Sequence, residues 1–218
     1  MTGVFNLRPK NTKYVETWDV AVLLRYLKTL TPVSSLTLKM LCCKLVTLVV
    51  LTQASRSHSV SLLTLDGMKQ EDSFYVLYYS GLLKQCRKGK ANPYIMLKKY
   101  DLDSSICVYR TLEEYLSRTK TLRGRNRHLF ISYIKPHNPV GPTTIARWVK
   151  FLMEKAGIDV NKFKTHSVRS AATSKAKQSG IPLTDILKVA GWSNERTFAQ
   201  YYDKPIEVTE DFQSAVLH

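Results

Sequence analysis

The stretch that most restricts how this chain can fold is residues 36–52, LTLKMLCCKLVTLVVLT, apolar over so many positions that no face of a helix built from it is polar. Such a helix has to be covered on every side, which makes it the central element of a core. Its longest unbroken apolar run, residues 45–51, is far short of the roughly 20 residues that a membrane-spanning helix requires. Ser34 and Ser35 offer an N-cap at its start, and Gln53-Ala54-Ser55 interrupts it at its end.

The elements around it follow from periodicity. Trp18, Val22, Leu23, Tyr26 and Leu27 recur at helical spacing from about Glu16 until Pro32 ends the pattern. A short third helix is expected from Arg56, carrying Val60, Leu62, Leu63 and Leu65 into the core. After Gly67 the character changes. Residues 74–79 and 94–97 are rich in aromatic and β-branched side chains, and the basic sequence between them predicts a hairpin over 84–90 in a small antiparallel sheet. Helical patterns return at about 107–119, 142–157, 166–180, 183–190 and 194–202, with a strand expected at 129–132. The fold class is therefore α+β, mainly helical with one small antiparallel sheet. A single domain is expected over residues 16–206, with 1–15 a linker or the remnant of something preceding it and 207–218 a tail.

The 33 Lys and Arg against 17 Asp and Glu leave a formal charge of +16, which calls for a polyanionic partner, with DNA the first choice. Residues 1–10 lack the apolar core of a signal peptide. Cys42, Cys43, Cys86 and Cys107 have neither CxxC spacing nor neighbouring His, and read as reduced thiols of an intracellular protein, buried as filler. No metal and no cofactor is expected. A cysteine or metal hydrolase does not fit, since no nucleophile and base stand at a recognisable spacing.

Cutting DNA without a metal requires a nucleophile, cationic donors around the phosphate and an acid for the departing oxygen. Arg56 follows a turn at a helix start, where a guanidinium can fork onto phosphate oxygens. His166 and Arg169, three apart, share a helix face, and small residues after them allow close helix packing. Gly191 ends one helix, Ser193 or Asn194 caps the next, and Tyr201-Tyr202 falls near that helix's end, before Pro205.

The order of an Arg after a turn, a Lys in a basic hairpin, His-x-x-Arg, Gly-Trp and then Tyr resembles the tyrosine recombinase, or phage-integrase-like, signature from about Trp18 onward. Leu82-Leu83-Lys84-Gln85-Cys86-Arg87, Thr144-Ile145-Ala146-Arg147-Trp148 and Gly191-Trp192-Ser193 are most similar to recombinases of eukaryotic mobile elements. The resemblance implies a catalytic domain in which Arg56 and Arg169 hold the scissile phosphate, Lys84 protonates the leaving 5′-oxygen, and His166 donates to the phosphate or assists the tyrosine. Trp192 stands where many relatives have His and offers one N–H.

Relatives often place an acidic residue where Ser59 stands. The nine-residue spacing of many relatives points to Tyr201 as the nucleophile, whereas the aromatic-Tyr-x-Lys-Pro ending points to Tyr202, which is preferred. The implied activity is strand exchange through a 3′-phosphotyrosine, for integration or excision of a mobile element. The implied setting is a homo-oligomeric, tetrameric synapse on double-stranded DNA, in the nucleus if the host is eukaryotic. In such relatives a helical DNA clamp precedes the catalytic domain, and the segment after the tyrosine docks on a neighbouring protomer. The rival readings are a non-cutting DNA-binding descendant and a relaxing enzyme resembling type IB topoisomerases.

The other cations divide into two groups. Lys88, Lys90, Arg118, Lys120, Arg123, Arg125 and Arg127 are read as either a phosphate-tracking surface or a solvated face, while Arg147 and Lys150, beside Trp148, suit a helix in a major groove.

Overall fold

The computed structural model describes residues 16–83, 86, 93–192 and 195–206. At its centre, α2 (Leu38–Thr52) is capped by Thr37, whose hydroxyl accepts the Met40 N–H at 3.3 Å, and is buried from Leu41 to Leu51. Ser34 and Ser35 lie one step earlier, in a 3-10 turn (Val33–Ser35), so the cap falls to Thr37 instead. Around α2 pack α4 (Val108–Thr119), α5 (Pro142–Lys155) and α6 (Ser167–Gln178). The first helix, α1 (Val20–Thr29), opens at Asp19, whose carboxylate accepts the Ala21 N–H at 2.9 Å, and buries Leu23 and Leu27. Val20 is therefore its first residue, four later than Glu16, because Asp19 is the side chain able to cap it.

The region after Arg56 departs from expectation. Helix α3 (Ser57–Ser61) is a single turn, and Leu63 and Leu65 belong to strand β1 (Leu63–Gln70). A sheet partner decides this, since Leu63 pairs with Tyr79 and Thr64 with Tyr78 of β2 (Phe74–Tyr79). The register then slips before Lys69 and Gln70 pair with Val76 and Tyr75, and the slip surrounds Gly67, at φ +69°. Three extra residues on β1 blur its alternation, which hides the strand in sequence. β2 pairs antiparallel with β3 (Tyr94–Lys98), and Tyr75, Leu77, Ile95 and Leu97 face the core. The hairpin expected over 84–90 lies mostly outside the described residues.

Residues 129–131 are buried but form only isolated bridges. Leu129 N–H donates to Leu63 O at 2.7 Å, and the Tyr115 hydroxyl donates to Leu129 O at 3.1 Å while accepting the Ile131 N–H at 3.0 Å. A side chain thus stands where a fourth strand would have to pair. The chain closes with α7 (Leu183–Ala190) and α8 (Glu195–Tyr201), after which Pro205 O accepts the Thr17 N–H at 2.9 Å. Cys42, Cys43 and Cys107 are buried free thiols and Cys86 is half-buried. Among the described residues no helix is long and apolar enough to cross a membrane.

One charge sits inside this core. Lys44 is fully buried on α2 and donates to Leu30 O at 2.5 Å, and its burial pulls the amine from the ordinary 10.5 down to about 8. A lysine whose folded value lies below its unfolded one penalises the fold while it is protonated, and the penalty fades as pH rises through that window. Relative to Lys44→Met, the wild-type chain should gain stability between about pH 8 and 10.5, read as the difference in urea midpoints. A pH-independent difference would disprove the linkage.

Candidate active site

Arg169 enters α6 on its third residue and is 5% exposed. One terminal nitrogen donates to Ala54 O at 2.6 Å and the other donates to Ala190 O. These carbonyls belong to two distant turns. Ala54, at φ +42°, is in the break that ends α2 and turns the chain toward Arg56 two residues later. Ala190 is the last residue of α7, where Gly191 takes the left-handed conformation at φ +65° and hands over to Trp192. A single planar cation therefore holds the two turns that carry Arg56 and Trp192, through a fork of separate nitrogens that a lysine ammonium lacks.

Aromatic rings close over that cation. Trp192 lies 4.3 Å from the guanidinium and Tyr202 lies 5.6 Å from it, and the two rings stack on each other at 4.3 Å with 39° between planes. Phe198, buried on α8, backs Trp192 at 5.8 Å. Burial, followed by the charge of Arg56, lowers Arg169 from 12.5 to about 10, while the Tyr202 phenol opposes this through its charge and then its hydrogen bond, so the group stays cationic at neutral pH. Among the described residues, Arg169 Nε and Trp192 Nε1 are both buried without a hydrogen-bond partner. Two orphaned donors beside one cation are what an oxyanion would satisfy.

Arg169 and Ala190, though neither Trp192 nor Tyr202, line a cleft of about 1100 Å³. Arg56, exposed in extended conformation as the residue preceding α3, borders it, and Lys98, Lys99 and Lys188 add positive charge against the carboxylate of Asp185. Ser59, where relatives often carry an acid, lines the same cleft. Asp185 and Lys188 went unremarked in the sequence, although their three-residue spacing on the predicted 183–190 helix gives them one face. Lys98 and Lys99, at the end of β3, carried no signal apart from charge.

The remaining predicted residues distribute differently. His166 is exposed at the N-cap of α6, one turn before Arg169. Lys84, Lys88 and Lys90 lie outside the described residues, as do Ser193, Asn194 and the side chain of Tyr201. Three cations of the expected phosphate-tracking run are engaged by the fold. Arg118 donates to Leu36 O at 2.6 Å, Arg123 is buried and donates to His128 O at 2.9 Å, and Arg127 pairs with Asp66 at 2.8 Å. Arg147 and Lys150 are exposed on α5 while Trp148 turns inward against Tyr133. Among the described residues no three His, Cys, Asp or Glu side chains gather as metal ligands.

Comparison with known proteins now decides the family. The phage integrase family model matches residues 22–207. The chain belongs to the phage integrase family. Among solved structures of this family fold, the XerH site-specific recombinase in a post-cleavage complex with difH superposes with a TM-score of 0.65 at 17% identity, covering 88% of this chain and 50% of XerH. XerA recombinase gives 0.59 at 17% identity, covering 98% and 66%. A lambda integrase dimer on a core site gives 0.55 at 14% identity, covering 97% and 68%. This phage integrase family chain thus spans half the length of XerH. None of these three matches singles out the eukaryotic mobile-element branch, and no curated protein sequence matches the chain.

In this integrase-type fold, replacing the fork that joins Ala54 and Ala190 should loosen both turns. Arg169→Lys keeps the charge but leaves at least one buried carbonyl unpaired, and should cost about 1–3 kcal/mol. Urea denaturation checks this, and a midpoint equal to wild type would contradict the bridging role.

Proposed function

We propose that this chain is the catalytic domain of a site-specific DNA recombinase working through a 3′-phosphotyrosine intermediate. One observation carries the reading: the Tyr202 ring packs against Trp192 and lies 5.6 Å from the guanidinium of Arg169, which itself lines the cleft that Arg56 borders. Of the two tyrosines, Tyr202 is the proposed nucleophile, a reading supported by this contact and by the aromatic-Tyr-x-Lys-Pro ending.

In the proposed reaction the Tyr202 oxygen bonds to phosphorus as its proton departs, the bond to the 5′-oxygen breaks, and that oxygen takes up a proton. Arg56 and Arg169 neutralise the phosphate, the Trp192 indole N–H donates to it, His166 donates or assists the tyrosine proton, and Lys84 serves as the acid for the 5′-oxygen. Because the ester energy is kept in the phosphotyrosine, attack by a partner strand's 5′-hydroxyl restores the tyrosine without ATP. No metal enters the scheme. Integration or excision of a mobile element is the fitting setting, and the Tn1549 transposon integrase, in complex with circular intermediate DNA, shares the fold at a TM-score of 0.60 and 14% identity. A homo-oligomer on double-stranded DNA is the proposed assembly, by analogy with the lambda integrase tetramer bound to a Holliday junction.

The deciding experiment incubates the 218-residue chain, without divalent metal, with nicked duplexes tiled across the DNA flanking its own coding region. A protein–DNA adduct that survives denaturation is expected for wild type and Tyr201→Phe but absent for Tyr202→Phe. Confirmed binding with no adduct from wild type overturns the reading. On the same duplexes, joint replacement of Arg147 and Lys150 by Ala should weaken binding uniformly across sequences and reduce the salt slope by about 2. An unchanged slope would remove both from the interface.

A further inference from the structure

Arg169 shares α6 with three buried serines, Ser167, Ser170 and Ser174. Spacings of three and four residues set them in one stripe on a single helix face. A buried hydroxyl needs a partner, and a helical one commonly finds it in the carbonyl a turn behind, as Thr173 does by donating to Arg169 O at 2.8 Å. The serine stripe turns outward to the rest of the chain instead. Ser167 Oγ accepts the Trp18 indole N–H at 2.8 Å. Ser174 donates to the Tyr202 carbonyl at 2.8 Å and accepts the Lys204 N–H at 3.2 Å, while Ser170 reaches the same Tyr202 carbonyl at 3.4 Å.

The segment it grips is where α8 ends: the Tyr202 N–H still makes the helical bond to Phe198 O at 2.8 Å, but the Asp203 N–H returns to that same carbonyl at 2.9 Å instead of advancing to the next one. The last turn of α8 holds the Tyr202 N–H, and the hydroxyls of α6 hold its carbonyl. A Lys177–Asp203 ion pair lies beside it at 2.5 Å, but both partners are partly exposed, so it contributes little.

We propose that Ser174, assisted by Ser170, is a positioning residue that fixes the backbone of Tyr202 relative to Arg169. The inference rests on the assignment of Tyr202 as nucleophile. One helix then carries both the cation that meets the phosphate and the hydroxyls that hold the root of the attacking side chain, so their separation is set by a rigid rise of about 1.5 Å per residue. Trp192 sets the tilt of the Tyr202 ring and Ser174 sets its origin. Ser174 touches no substrate and acts through Tyr202 alone. Displacing a reacting group by about 1 Å can cost on the order of 10²-fold in rate.

The test measures, on the full chain, single-turnover adduct formation with a nicked duplex and, separately, affinity for the same DNA. Ser174→Ala should form adduct at least about tenfold more slowly with unchanged affinity, and Ser174→Thr, which keeps the hydroxyl, should recover most of the rate. If Ser174→Ala also loses affinity, the near-isosteric Ser174→Cys replaces it, its thiol being a weak donor. Slow adduct formation with intact affinity supports the proposal, and a wild-type rate overturns it. A wild-type rate in the serine variants, with no adduct from Tyr202→Phe, sinks the positioning role and spares the nucleophile. An adduct from Tyr202→Phe sinks the nucleophile assignment itself.

Discussion

The geometry of the site depends on one buried cation. The Arg169 guanidinium spends its two terminal nitrogens on the carbonyls of Ala54 and Ala190, and so joins the end of α2 to the end of α7 across more than a hundred residues of sequence. Burying a charge is expensive unless its donors are used, and here two are used by the main chain while one face is covered by Trp192. Its Nε is buried without a partner among the described residues, beside the equally unpartnered Trp192 indole. The group that ties the two turns together is therefore also one that keeps a buried donor unspent.

This arrangement departs from the picture a sequence motif implies. His-x-x-Arg reads as a helix face presenting a guanidinium to a ligand, and both residues do lie at the start of α6. The motif is silent about the carbonyls of Ala54 and Ala190, because a main-chain acceptor has no letter of its own. The same limit explains why Ser170 and Ser174 passed as small packing residues: their partner is the backbone of Tyr202.

The helical part of the fold was legible wherever period and punctuation agreed. The α7 helix falls on residues 183–190 as predicted, bounded by Pro182 before and Gly191 after. Central α2 was legible from apolarity alone. The failure at β1 has a physical origin, because Leu63 and Thr64 are strand residues through pairing with Tyr79 and Tyr78, and the slip around Gly67 erases the two-residue alternation that would have disclosed it. The failure at 129–131 is of the opposite kind. Its apolar run is strand-like, yet the Tyr115 hydroxyl takes both the carbonyl of Leu129 and the amide of Ile131. Arg118 and Arg123 counted as surface charge in the sequence and are fasteners in the fold, which lowers the charge free to meet a polyanion below what +16 implies.

The short bridge between Thr17 and Ile206, with Thr17 N–H on Pro205 O, brings the two ends of the described domain together three to four residues beyond Tyr202. Trp18, the next residue, is pinned to Ser167 on the helix that bears Arg169. Thr17 and Trp18 therefore tie this end of the described chain in two directions, through the bridge that leads to Pro205 and through the indole that leads to α6. Two neighbouring residues thus act as a clasp between the helix that bears Arg169 and the segment that follows Tyr202.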